Sequence, residues 1–154
     1  MATDQQTEDM AEKQGKLTIF ASYFSGAGKS CAMLKAAQKA KEYGVDVVIG
    51  SSPSEQWPDT RQLAAAFERV PGKTAVPNGR TDEEMDLDAC LKRRPQLILI
   101  DELSHRNADN SRHRKRYQDI EELLKAGVDV YTTLDIQHIE SIQDSVLSIL
   151  NVPI

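Results

Sequence analysis

The turn Ser22-Tyr23-Phe24-Ser25-Gly26-Ala27-Gly28-Lys29-Ser30 lies between the apolar run Leu17 to Ala21 and an amphipathic stretch running to Tyr43. No other stretch of the chain restricts its fold so strongly. Glycines this close together permit backbone angles that turn successive N–H groups toward one point. A helix beginning there adds the positive field of its N-terminus, so the turn suits an anion such as phosphate. Lys29 would bring a cation to the β- and γ-phosphates, and Ser30 a hydroxyl to Mg²⁺. The usual spacing, G-x-x-x-x-G-K-[ST], places its first glycine where Tyr23 stands, so the match is imperfect. A strand-to-helix turn that binds nothing is the competing reading, and the strand before and helix after favour the phosphate loop. The residues expected at the nucleotide are Gly26, Ala27, Gly28, Lys29, Ser30 and Cys31.

The remaining pattern alternates apolar runs with amphipathic ones. Lys29 to Tyr43 predicts a helix with Met33, Ala36, Ala37 and Ala40 on one face, stopped by Gly44 in a left-handed conformation. Val45 to Ile49 predicts a strand, Ser51 to Pro58 a loop, and Asp59 to Val70 a helix burying Leu63, Ala66, Phe67 and Val70. A short strand is expected near Thr74 to Val76. The Thr81/Glu84 spacing of a capping box predicts a helix from Thr81 to about Lys92. Leu97 to Ile100, apolar throughout, reads as the centre of a parallel sheet. A polar connection over 107–116 precedes a helix lined by Tyr117, Ile120, Leu123 and Leu124, then a strand at Val128 to Thr133. Ile139, Ile142, Val146 and Ile149 would line a last helix. The string Gly-Val-Asp-Val occurs at Gly44 and again at Gly127, one helix-stop and strand-start device used twice. Strands and helices in alternation predict an α/β, P-loop NTPase-like parallel sheet with helices on both faces, as a single domain over 15–154 after a flexible leader, 1–14. Ligands of such sheets sit beyond the carboxyl ends of the strands.

That is where the second half of the machinery falls. Leu97 to Ile100 runs into Asp101-Glu102, and a carboxylate there can hold Mg²⁺ opposite Ser30. Ser30 and Asp101 are therefore the expected metal partners. Glu102 is the candidate catalytic base, against the bland reading that both carboxylates merely end a strand. His105 is a further candidate for contact with the γ-phosphate, with a structural hydrogen bond as the alternative, and one of Thr132 and Thr133, at a strand end on the ligand side, is a candidate to touch phosphate or bound water. The run from Arg112 to Arg116 reads first as a solvated basic loop.

Composition limits the function classes. The 154 residues carry a formal net charge of −5, with 40% hydrophobic and 28% charged residues. This is a globular balance, and it disfavours broad binding to DNA or RNA. No apolar run approaches the roughly 20 residues of a membrane span, so no direct membrane insertion of this segment is expected. Cys31 and Cys90 lack metal-ligand spacing and read as reduced thiols of a cytoplasmic protein.

From Gly15 onward the chain resembles the N-terminal cytoplasmic domain of the KdpD family, the osmosensitive potassium-channel sensor histidine kinases. The strings that carry the resemblance are GKLTIF, GAGKS-CAML, GVDVVIG, EEMDLDACLKRRPQLILIDELSH, SRH-KRYQDIEELLKAGVDVYTT and the IQHIES run from Ile136 to Ser141. The resemblance implies an ATP- and Mg²⁺-binding module that modulates the kinase and phosphatase output of a two-component sensor. Its partners would be the remaining domains of that sensor or a separate signalling protein. The chain departs from the family at Ser22 and Ser25, where Gly and Pro are usual, and at Pro53 to Trp57, where ETHGR is usual. It also reads Ser104 within the DELAH run, and Asp109-Asn110 where Pro-Gly follows Asn-Ala. The family's second cytoplasmic domain, membrane spans and kinase core do not occur in this sequence, so it reads as a fragment or a short relative. The alternative function is an active phosphotransferase or ATPase passing the γ-phosphoryl group to a protein hydroxyl or to water. A thymidine-kinase-type enzyme would add a zinc lasso, and a GTPase an [NT]-K-x-D string; neither is in the sequence.

Overall fold

A strand that is apolar on both faces folds stably only when both faces are covered, and Leu97–Ile100 is buried along its whole length. The computed structural model of the chain describes residues 14–22, 27–51, 58–74, 83–105, 107 and 113–135. In chain order these form β1 (Leu17–Ser22), α1 (Ala27–Glu42), β2 (Val47–Ser51), α2 (Pro58–Ala64), β3 (Glu68–Arg69), β4 (Lys73–Thr74), β5 (Glu83–Glu84), α3 (Leu87–Arg93), β6 (Leu97–Ile100), α4 (Arg116–Lys125) and β7 (Asp129–Asp135). Five strands form a parallel sheet in the order β1-β7-β6-β2-β3, while β4 and β5 pair antiparallel beside it. This is an α/β architecture, a parallel sheet with helices on both faces.

Alternation along the strands divides the core into two layers. Ile98, Ile100, Val130 and Leu134 pack with Ile120 and Leu123 of α4 on one face. Leu97 and Leu99 pack with Met33, Leu34 and Ala37 of α1 on the other. Burial of side chains such as these contributes roughly 1.5–3 kcal/mol each and fixes the register, because a one-residue slip would reverse both faces. The repeated turn behaves as its sequence indicates: Gly44 and Gly127 both have φ of 89°. A closer constraint acts at Gly15, where an added Cβ would lie 1.8 Å from the Val128 carbonyl oxygen. Its N–H donates to the Leu124 carbonyl, so the chain passes tightly under the entry to β7.

Several boundaries differ from the sequence expectation. The helix expected over Asp59 to Val70 ends at Ala64, because Phe67 turns into the α1 layer and Glu68–Arg69 pairs with β2. Strand β2 starts at Val47 and runs through Ser51. The helix expected from Thr81 begins only at Leu87: Glu84 belongs to β5, and Asp86 is the cap, its carboxylate accepting from the Ala89 N–H at 3.1 Å. Strand β7 extends to Asp135, two residues past the expected end. Thr81, the helix expected over Ile139 to Ile149, and the leader as far as residue 13 lie outside the described residues. Among the described residues no helix is long and apolar enough to cross a membrane.

Candidate functional site

Strand parity carries the side chains to one place. Leu97 and Leu99 face α1, so the next residue of that parity, Asp101, leaves the end of β6 on the same side. On β7, Tyr131 faces α1, and Thr133 and Asp135 follow at the same parity. The first turn of α1 lies above these strand ends and supplies Gly28, Lys29 and Ser30, with no acidic residue among them.

Contacts follow from that placement. The Ser30 hydroxyl is 3.4 Å from Asp101 Oδ1, and the Thr133 hydroxyl donates to the same oxygen at 2.8 Å. Lys29 Nζ lies 2.5 Å from Asp135 Oδ1, with both side chains 7% exposed. Burial pushes the Asp101 carboxyl above its ordinary value. The Thr133 hydrogen bond opposes that, the Glu102 charge adds to it, and Arg116 and Lys29 pull it down. Among the described residues an added Cβ on Gly28 would meet nothing within 4 Å, and the N-terminus of a helix such as α1 favours an anion. The residues present therefore fit a magnesium-bound anion.

Glu102 adopts φ of 59°, the left-handed region that side chains rarely occupy. Its N–H donates to Thr133 Oγ1 at 2.9 Å, and its carboxylate accepts from the Ser104 hydroxyl at 2.7 Å. Such strain persists where surrounding contacts over-determine it, and is common at functional sites. Cys31 lies one residue past Ser30 on α1, with its thiol 3.5 Å from Thr60 Oγ1 of α2. Gly26 lies outside the described residues, and Ala27 opens α1.

The basic run is not a uniform solvated loop. Arg116 is buried, donating from Nη1 to the Asp101 carbonyl at 2.5 Å and lying 3.7 Å from Glu84. His105 Nε2 is 3.1 Å from Glu84, a structural hydrogen bond. His113 pairs with Glu122 at 3.0 Å. Arg112 lies outside the described residues. Cys90 is buried, and burial pushes its thiol up to about 12, which removes it from thiolate chemistry.

Sequence reasoning brought forward Lys29, Ser30 and Asp101, which the structure places together. It missed Asp135, Ser104, Glu84 and the burial of Arg116. Asp135 was detectable in principle: continuing β7 for two residues past Thr133 puts a carboxylate on the α1 face.

Comparison with known proteins adds kinship to this geometry. The family described as KdpD, "Osmosensitive K+ channel His kinase sensor domain", matches residues 13–154. The "Sensor protein KdpD" of Clostridium acetobutylicum is 46% identical over 96% of this chain, which spans 16% of that protein. The "Sensor protein KdpD" of Escherichia coli is 45% identical over 94% of this chain, again 16% of the relative's length. A solved structure, the ATPase DotB of Legionella pneumophila, aligns with 85% of this chain and 33% of its own at a TM-score of 0.40 and 22% identity.

Proposed function

The chain belongs to the KdpD family of osmosensitive K⁺-channel histidine-kinase sensor domains, and from that premise we propose that it binds ATP with Mg²⁺ and reports nucleotide occupancy to the rest of a potassium-sensing kinase. The observation that carries the reading is the approach of Ser30 Oγ to Asp101 Oδ1 at the first turn of α1. A hydroxyl and a carboxylate so placed can share one hydrated magnesium, which usually retains several waters and takes only one or two protein carboxylates. Magnesium would offset the charge of the triphosphate. Lys29 would bind its β- and γ-oxygens, and the N–H groups of Gly28 to Ser30 would hold it at the helix start. Thr133 fixes the Asp101 carboxylate.

Titration calorimetry of the 154-residue chain with ATP, GTP and ADP, with and without Mg²⁺, tests this reading. Magnesium-dependent ATP binding is expected, lost in Lys29→Ala. Silence with every nucleotide would remove the proposal. The cellular setting that follows is the cytoplasmic side of a sensor, with its remaining domains as partners.

A second reading, turnover of ATP with Glu102 as base, draws on the strained backbone of that residue. The Ser104 hydroxyl occupies one oxygen of that carboxylate, an acceptor that a base would use to take a proton from water, and this favours binding over rapid hydrolysis. Glu102→Gln separates the two readings: ADP release unchanged supports a binding module, and release depressed on the order of a hundredfold supports a base.

A further inference from the structure

The phosphate-loop lysine already has an anion. Lys29 and Asp135 are buried together, 2.5 Å apart, with Asp135 at the carboxyl end of β7. That strand lies between β1, which precedes α1, and β6, which ends at Asp101. The carboxylate is thus inside the region where phosphate oxygens would have to meet the same ammonium. A buried ammonium without an anion is strongly unfavourable, which accounts for the pair. An ammonium held this way cannot give the same short, direct contact to a phosphate oxygen. If it turns toward phosphate, Asp135 keeps its charge close to the incoming anion.

We propose that Asp135 is an internal counter-ion of the nucleotide site, occupying Lys29 until a magnesium-bound polyphosphate displaces it and thereby setting the affinity of the site. The inference rests on the nucleotide reading above and adds its regulation. The exchange is one anion for another at a fixed cation. It favours ligands that carry several charges and bring magnesium to Ser30 and Asp101, because these gain contacts that Asp135 does not provide. A carboxylate that only aimed the lysine would act in the opposite sense, since its removal would loosen the lysine and weaken binding. Asp135→Asn keeps the side-chain shape and removes the charge, so the two roles give opposite results.

Calorimetric titrations of the chain and of Asp135→Asn with MgATP should show about tenfold tighter binding in the variant, the size of change expected when one close charge pair is removed. Lys29→Met should abolish binding in both backgrounds. Equal or weaker binding by Asp135→Asn, with the unsubstituted chain still binding, overturns the counter-ion and leaves the nucleotide reading standing. No binding by the unsubstituted chain overturns both readings. NMR of the Lys29 side-chain ammonium in the unsubstituted chain supplies a measurement that does not depend on the variant folding. Its signal should shift on MgATP addition, as its partner changes from carboxylate to phosphate. If it stays unmoved while the Gly28 to Ser30 amides shift, the counter-ion is overturned.

Discussion

Asp101 shows how a single residue can trade stability for a site. Desolvation raises its folded-state pKa above the value of 3.8 it has when unfolded. Between those two values the native state holds more protons than the unfolded state, so this carboxyl makes stability fall as pH rises. The penalty is complete above the folded value and absent well below 3.8. Asp101→Asn removes the buried charge while its amide oxygen can still accept from Thr133. In metal-free buffer at pH 8 the variant should be more stable by on the order of 1 kcal/mol, roughly 2–4 °C in Tm. That gain should shrink as the buffer is taken toward pH 4, while magnesium-dependent ATP binding should be lost at pH 8. Thermal melts across pH, paired with calorimetry, measure both. A variant less stable at pH 8 would mean that the Ser30 and Thr133 contacts outweigh the desolvation of the charge.

At the scale of elements, the two helix stops offer a controlled comparison. Gly44 and Gly127 share a φ of 89°, and among the described residues an added Cβ at Gly44 would meet nothing within 4 Å. Alanine at Gly44 therefore reads conformational strain without a clash, and should cost about 1–2 kcal/mol in urea unfolding. Asparagine there should cost less, since its side chain tolerates the left-handed region. This device was legible from sequence because it is local: a glycine between an amphipathic run and a β-branched one has few other uses. β6 was legible too, because four consecutive apolar residues have few other places to go. The Asp59 to Val70 segment was not, because Phe67 obeys a helical period yet gains more from the α1 layer, and Glu68–Arg69 gains a place in the sheet. The helix cap was misplaced for a similar reason. Thr81 and Glu84 have the right spacing, but Glu84 is taken by Arg116 and His105, contacts far away in sequence. Within the site, Lys29, Ser30 and Asp101 follow from motif and strand end. Asp135 depends on exactly how far a strand runs, which periodicity resolves poorly.

Across the whole molecule, Arg116 joins parts that are remote in the chain. It opens α4, reaches the Asp101 carbonyl at the end of β6, and lies 3.7 Å from Glu84 of the β4–β5 hairpin. Burial pushes its guanidinium below the ordinary value, while the charges of Glu84, Asp101, Asp119 and Glu102 oppose that shift. Its Nε has no hydrogen-bond partner among the described residues, so its solvation is only partly replaced. Removing one member of a buried charge cluster costs more than the cluster itself contributes, because the remaining charges stay buried. Arg116→Met should therefore destabilise the chain by about 3 kcal/mol, roughly 10 °C in Tm. Adding Glu84→Gln should restore part of that loss by removing the stranded carboxylate. Arg116 meets the carbonyl of Asp101 and not its carboxylate, so the variant should keep magnesium-dependent ATP binding within about threefold at a temperature where it is folded. Melting curves and titrations on Arg116→Met, Glu84→Gln and the double variant test this division between scaffold and site. Loss of ATP binding as complete as in Asp101→Asn would mean that Arg116 governs the Asp101 carboxylate directly and that the two cannot be separated.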